Sequence, residues 1–438
     1  MVKFLWPLAM ATLVAPMHAA AQTPGPQAVL TLRAALALAA QANPVLAAAR
    51  YEAESQDGLV LQASARPNPT LSFERVGRSG AGSEADGEKT WQLSQPLELG
   101  GKRAARVAAA ERGRDVAGAA LEAQRLELHA GVVTAFYDVL VAQERLRLAQ
   151  DGSELAQRAT QAASKRVVAG KVSPVDETKA RLAEANVRLE QASAAAALAS
   201  ARQRLAAYWQ QPAAGMERPQ YAATLAGATG AAGAADFGRA EGDIGVLPEP
   251  PSAAAMASWR AQSPALMPAR LEAARRKAVS QLELANRAPD LTVSLGSKRM
   301  ADPSRSQTVV GLSLPLPLFD RNQGNVLAAQ RQADKADAEL AAAAVRLESE
   351  LALAIQDLRA ARQAIDTLRG DILPAAQQAS EAVRKGFEFG KHNFIDVLDA
   401  QRTLLQARAQ YLSALSDGHR AAAAIERILG HTAPNNEH

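Results

Sequence analysis

The side chains that could do chemistry in this chain are few and scattered. The six histidines are His18, His129, His392, His419, His431 and His438, and no two stand in the HExxH spacing of a zinc hydrolase. There is no cysteine. That removes disulfides, thiolate metal ligands, cysteine nucleophiles and lipidation at a mature N-terminal cysteine. Gly386 to His392 contains a Gly-Lys pair, but it is one residue short of a phosphate loop and no Ser or Thr follows. Gly100-Gly101-Lys102-Arg103 reads as a strand-to-helix junction. The sequence therefore predicts no enzyme, no cofactor and no metal site.

What is left is electrostatic chemistry at two turns. The first reads Val168-Ala169-Gly170-Lys171-Val172-Ser173-Pro174-Val175-Asp176. Gly170 fits the residue just past a helix end, and Ser173-Pro174 fits an N-cap followed by the first helical position. The second runs from Phe387 to Ala400. There Gly390 and Lys391 precede His392 and the candidate cap Asn393, and Asp396 sits in a first turn near the positive end of the helix dipole. Two well-capped hairpins account for the caps. They do not account for an acid at the same offset in both turns, or for Asp399 added in the second.

The elements that position these turns are duplicated. Asn43-Pro44 matches Ser263-Pro264, Arg66 to Phe73 matches Arg287 to Ser294, Gln95 to Leu99 matches Leu314 to Leu318, and Gly170, Lys171 and Asp176 match Gly390, Lys391 and Asp396. All four pairs lie about 220 residues apart and in the same order. Each unit reads as a helix, a β-hairpin, a long helix, a tip turn and a returning helix. The first repeat spans 22–210, with its hairpin at about 69–99 and its tip near 170. The second spans 253–430, with its hairpin at about 290–318 and its tip near 390. A Gly-, Ala- and Pro-rich linker with little regular structure is expected over 211–252, and a tail over 431–438. Residues 1–21 read as a secretory signal: Lys3, a short apolar run and Ala19-Ala20-Ala21.

The strands alternate. Trp91, Leu93, Leu97 and Leu99 oppose Gln92, Ser94 and Glu98, and Thr308 to Leu318 alternates in the same way. This period fits a transmembrane barrel strand or an ordinary surface hairpin. The polar hairpin loops favour the barrel, and four strands cannot close one, so several protomers would have to share it. The long helices carry narrow apolar stripes, from Leu121 to Leu146 and from Leu340 to Leu368, which call for helix-on-helix packing. Pro374 and Gly152 are expected as bends or changes of packing. The 49 basic and 45 acidic residues are interspersed, which gives no reason to propose nucleic acid.

The tip from Gly390 to Asp399-Ala400 is similar to the Gly-x-x-x-x-x-Asp-Val-Leu-Asp-Ala motif of the TolC family of outer-membrane export channels, and the resemblance covers both repeats. It implies a mainly α fold with a membrane β-barrel: a homotrimer sharing a twelve-stranded barrel, four strands per protomer, above a long coiled-coil tunnel. It places the chain in the Gram-negative outer membrane, in contact with its lipid, with the tunnel in the periplasm. It implies a passive duct docked to a periplasmic adaptor protein and an RND-type inner-membrane pump. Asp396 and Asp399 match the family's acidic constriction, and Asp176 and Phe387 its tip gate. His392 stands where a basic partner of Asp176 is expected, which would make the closed state pH-dependent. Gly170, Lys171, Val172, Ser173, Gly390, Lys391 and Asn393 are the expected adaptor contacts. Gln95 to Arg103 and Leu314 to Gly324 resemble the cobalt-zinc-cadmium resistance branch, so heavy-metal cations are the expected cargo, with drugs or small organics as the alternative. A non-transport periplasmic scaffold or adaptor is the other class, disfavoured by the two separated hairpins.

Overall fold

The computed structural model describes residues 29–76, 88–170, 172–209, 237–252, 256, 263–300 and 306–430. The expected signal segment, the tail, much of the expected linker and Lys171 lie outside the described residues.

In the first repeat, strand β1 (Val29–Thr31) leads into α1 (Leu32–Ala42), which ends at Asn43. Asn43 then caps α2 (Pro44–Ser64), its Oδ1 accepting from the Leu46 amide at 2.9 Å. Its Nδ2 donates to the Tyr208 carbonyl, also at 2.9 Å. Ser263 repeats this second contact, its Oγ donating to the Ile428 carbonyl at 3.1 Å. Both bonds join residues 165 apart, so the duplication extends to individual hydrogen bonds.

β2 (Thr70–Val76) and β3 (Glu88–Leu97) form the first hairpin and feed α3 (Lys102–Val168), whose 67 residues span about 100 Å at about 1.5 Å each. α4 (Pro174–Ala206) returns along it. Strand β4 (Arg239–Glu241) follows and pairs in parallel with β1. The second repeat brings a short 3₁₀ turn (Pro264–Leu266), α5 (Met267–Ala285), β5 (Leu291–Arg299), β6 (Ser306–Ser313) and α6 (Gln323–Thr367). A π turn (Leu368–Ile372), α7 (Leu373–Glu388) and α8 (Phe394–Leu429) complete it.

The two candidate bends behave differently. Pro374 lacks an N–H and its ring crowds the Gly370 carbonyl, so the ladder widens and the Leu373 amide reaches back to Leu368. Gly152 does not interrupt α3. A Cβ there would meet Leu405 and Val187 side chains at 3.4 and 3.5 Å, so the glycine sets how closely α4 and α8 approach.

The hairpins join in one antiparallel sheet, ordered β2-β3-β5-β6. Leu71, Leu93, Leu295 and Val310 pair in one row, and Phe73, Trp91, Ser297 and Thr308 in the next on the same face. The Phe73 and Trp91 rings lie 4.6 Å apart. The other face carries Thr70, Ser94, Ser294 and Gly311 in one row and Ser72, Gln92, Gly296 and Val309 in another. Nothing among the described residues covers the apolar face: Leu71, Val310 and Leu312 are 65, 71 and 72% exposed. β6 ends at Ser313 rather than near Leu318, because Pro315 and Pro317 have no N–H for a ladder.

The thickest packing lies midway along the helices, where Val132, Phe136, Val139 and Leu205 are fully enclosed. The described part of the expected linker has little regular structure beyond β4, and it packs here. Gln143 grips Ala240 through both its amide atoms, at 2.9 Å each, extending the β1–β4 ladder with a side chain. Ile244 and Leu247 pack against Ile365, Leu368 and Leu415. His419 is buried, stacked on Tyr137 at 3.5 Å, with Nε2 2.9 Å from the Ile244 carbonyl. Among the described residues no single helix is long and apolar enough to cross a membrane.

The paired helical tips

Each repeat ends its long helix in a left-handed glycine, and the local sequence explains why. Gly170 has φ +68° and Gly390 φ +72°, a region costly for any residue with a Cβ. Gly170 donates its amide to the Val167 carbonyl at 2.9 Å, and Gly390 to Phe387 at 3.1 Å. In the second tip the Lys391 amide also reaches Gly386 at 2.7 Å, completing a Schellman closure. The return helices are capped differently. Ser173 Oγ accepts from the Val175 amide at 3.3 Å, and the Asp176 amide donates to the Ser173 carbonyl at 2.9 Å. Asn393 opens α8 with a capping box in which Asp396 Oδ2 accepts from the Asn393 amide at 3.0 Å.

The expected site residues fall into two groups. Phe387 packs with Leu398 and Ala159 around the buried Ala163 and Ala180, so it bridges both repeats within one protomer. Asp396 and Asp399 are exposed on one face of α8, three residues apart, while Asp176 is half-buried on α4. Val172 is half-buried, and Ser173, Gly390, Lys391 and Asn393 are exposed.

His392 lies beside Asp396 within the protomer. Its Nδ1 lies 3.7 Å from Asp396 Oδ2, one turn along, and its ring fills the space above Gly386. A Cβ at residue 386 would come within 2.2 Å of the His392 ring. The reason is local: the Schellman turn folds His392 back over the end of α7, and that end has a glycine where the ring lands.

Sequence reasoning missed Arg166. Its guanidinium carbon stands 3.9 Å from the centroid of the Phe387 ring, and its Nη2 donates to the Phe387 carbonyl at 3.4 Å. A position-by-position comparison of the repeats holds a signal for it. At the offset that aligns the two tip glycines, Arg166 faces Gly386 and Val172 faces His392. These are two of the substitutions that distinguish the tips.

No cluster of three or more His, Cys, Asp or Glu residues that could hold a metal ion occurs among the described residues. The arrangement places carboxylates on an exposed helix face beside two capped turns.

The sequence profile of the outer membrane efflux protein family matches residues 35–210 and 256–431, which is both repeats. The cobalt-zinc-cadmium resistance protein CzcC of Cupriavidus metallidurans is 43% identical over 92% of this chain and 90% of its own length. Among solved structures, a membrane protein from Pseudomonas aeruginosa matches with TM-score 0.75 at 19% identity, covering 91% of this chain and 92% of that one. The outer membrane protein VceC of Vibrio cholerae matches with TM-score 0.70 at 20% identity, covering 91% and 96%. With a duplicated helix–hairpin–helix unit, a one-sided sheet and a family match over both halves, the chain belongs to the outer membrane efflux protein family.

Proposed function

We propose that this chain is the outer-membrane exit duct of a tripartite efflux system for heavy-metal cations. The observation that carries the membrane placement is the four-stranded sheet with one exposed apolar face. An apolar face of that size is stable against acyl chains, and unpaired edges are not tolerated there. Three protomers joining β6 of one to β2 of the next would leave no edge, giving a twelve-stranded barrel. The polar face, lined by Ser72, Gln92, Ser94 and Ser294, then faces a wet bore.

The open grooves support the same trimer. One of about 790 Å³ lies along Asn43, Leu46 and Leu128, and its repeat equivalent of about 610 Å³ along Ser263, Leu266 and Leu351. Both leave helix flanks for a neighbouring protomer to cover.

At the far end, three copies of Asp396 and Asp399 form the constriction, with Asp176, Phe387 and His392 as its gate. Six carboxylates in a narrow bore attract cations and repel anions. The tip residues Gly170, Lys171, Val172, Ser173, Gly390, Lys391 and Asn393 dock onto a periplasmic adaptor, which couples the duct to an RND-type pump. Heavy-metal cargo is supported by the 43% identity to a cobalt-zinc-cadmium resistance protein.

The test is gene deletion followed by growth in graded zinc, cobalt, cadmium, copper and nickel and in a drug panel. Sensitisation to metals, restored by the intact gene, is expected. Sensitisation to drugs alone would sink the metal assignment.

A further inference from the structure

Every strand of the sheet has an exposed arginine just beyond its helical end. Arg66 precedes β2 and Arg287 precedes β5, each by four residues. Arg103 follows β3 and Arg321 follows β6. All four are exposed. Arg66 and Arg287 stand at matching places in the two repeats, and Arg103 and Arg321 at the corresponding strand-to-helix junctions one position out of register, so the pattern is not confined to one loop.

The acids nearby are already engaged. Glu98 pairs with Arg106, Asp290 with Lys102 at 2.7 Å, and Asp320 accepts from the Asn322 amide at 2.9 Å. Among the described residues, Arg66, Arg103, Arg287 and Arg321 have no carboxylate partner; Arg103 donates only to the Ser64 carbonyl. Asp320 and Glu283 accept only from neutral amides and lie close by, so they offset part of this charge, and the four arginines leave a net positive band.

Along the chain leaving β3 and β6, a run of exposed apolar side chains comes before the arginine. Leu97 and Leu99 are 43% exposed below β3. After β6 the chain runs on as Leu314, Leu316, Leu318 and Phe319, at 46, 71, 64 and 91% exposure, and Arg321 follows two residues later. Apolar groups followed by guanidinium groups match the order of acyl chain and headgroup phosphate at the edge of a leaflet. Arginine suits phosphate through its planar fork of donors, and its stem can lie along acyl chains while its head stays wet.

We propose that Arg66, Arg103, Arg287 and Arg321 form a phosphate-binding collar that holds glycerophospholipids of the leaflet on the helical side of the sheet, with a preference for anionic headgroups. The collar rests on the barrel reading above, in which three protomers would place one arginine beneath each strand of a closed ring. Its charge also adds to the attraction of an anionic lipid surface.

The test uses the full-length protein in vesicles of phosphatidylcholine, with and without phosphatidylglycerol. Lipids retained by the protein are counted by native mass spectrometry. Several-fold enrichment of phosphatidylglycerol over phosphatidylcholine is expected, weakening at high salt. R66Q/R103Q/R287Q/R321Q should abolish the enrichment, and the quadruple Lys variant should keep most of it. If the protein inserts but retains both lipids in their bulk ratio, the collar is overturned and the barrel stands. If it enters neither vesicle, the barrel reading falls and the collar with it. If the Gln variant shifts ion selectivity and leaves the lipid ratio unchanged, the arginines face the duct and the collar is wrong. Should the Gln variant fail to insert, the wild-type enrichment and its salt dependence decide the matter alone.

Discussion

Arg166 stands over the Phe387 ring, its guanidinium carbon 3.9 Å from the centroid, and also donates to the Phe387 carbonyl. This joins the end of α3 in one repeat to the end of α7 in the other. A cation over an aromatic face contributes about 0.5–2 kcal/mol depending on desolvation. Arg166→Ala should loosen the tip and raise the open population several-fold, seen as more frequent or larger conductance in planar bilayers. Phe387→Leu, which keeps the apolar packing but not the ring face, should reproduce most of the change. Unchanged conductance in both variants would remove the contact from gating.

The acid pair on α8 makes a separate prediction. Asp396→Asn with Asp399→Asn should lower cation over anion selectivity, read as a reversal potential moving toward zero in a salt gradient. Asp176→Asn, half-buried on α4, should move it less. Equal shifts would mean that all three acids face the bore alike.

Gly386 and His392 are predicted to be non-additive. Alanine in a helix interior is worth roughly 1 kcal/mol over glycine. At residue 386 that gain is opposed by contact with the His392 ring. Gly386→Ala should therefore be neutral or destabilising alone, yet stabilising by about 1 kcal/mol in a His392→Ala background. Thermal unfolding of the four proteins in one detergent measures the cycle. Additive effects would mean the ring does not occupy that space.

Asn43 and Ser263 make equivalent bonds but carry different loads. Asn43→Ala loses an N-cap and leaves the Tyr208 carbonyl without its donor, for a combined cost of about 2–3 kcal/mol. Ser263→Ala loses only the bond to the Ile428 carbonyl, about 1–2 kcal/mol. Urea unfolding should rank the two in that order.

Burial holds the His419 imidazole below its ordinary pKa of 6.5, partly offset by the Ile244 carbonyl and by Asp243. The folded protein keeps the ring neutral where the unfolded chain protonates it. Stability is therefore full above about pH 6.5 and falls as pH drops toward the depressed value. His419→Gln should flatten that decline, measured as melting temperature between pH 5 and 7.5. An unaltered slope would assign it to other groups.

Much of this was legible in the sequence, for identifiable reasons. Gly170 and Gly390 announce helix ends because a left-handed residue favours glycine, and Ser173, Asn393 and Pro174 announce helix starts. The alternation through Leu93 and Leu295 fixes which side chains share a face. Contacts between the repeats were not legible. Arg166 and Phe387 are 221 residues apart, and neither is unusual in its own helix. The β1–β4 pair is three residues long and sits among Gly and Ala, too short for any period to register. The early end of β6 was readable, since Pro315 and Pro317 forbid a ladder that alternation alone would extend.

The unpaired edges of β2 and β6 have a consequence for the life of a single chain. Before it meets its partners, each newly made copy offers two rows of amide and carbonyl groups beside a bare apolar surface. Such an edge pairs with any extended strand, so the lone chain is a template for aggregation. Completion of the sheet and assembly should then be one event, and a holding chaperone that covers strand edges would be needed from export until insertion.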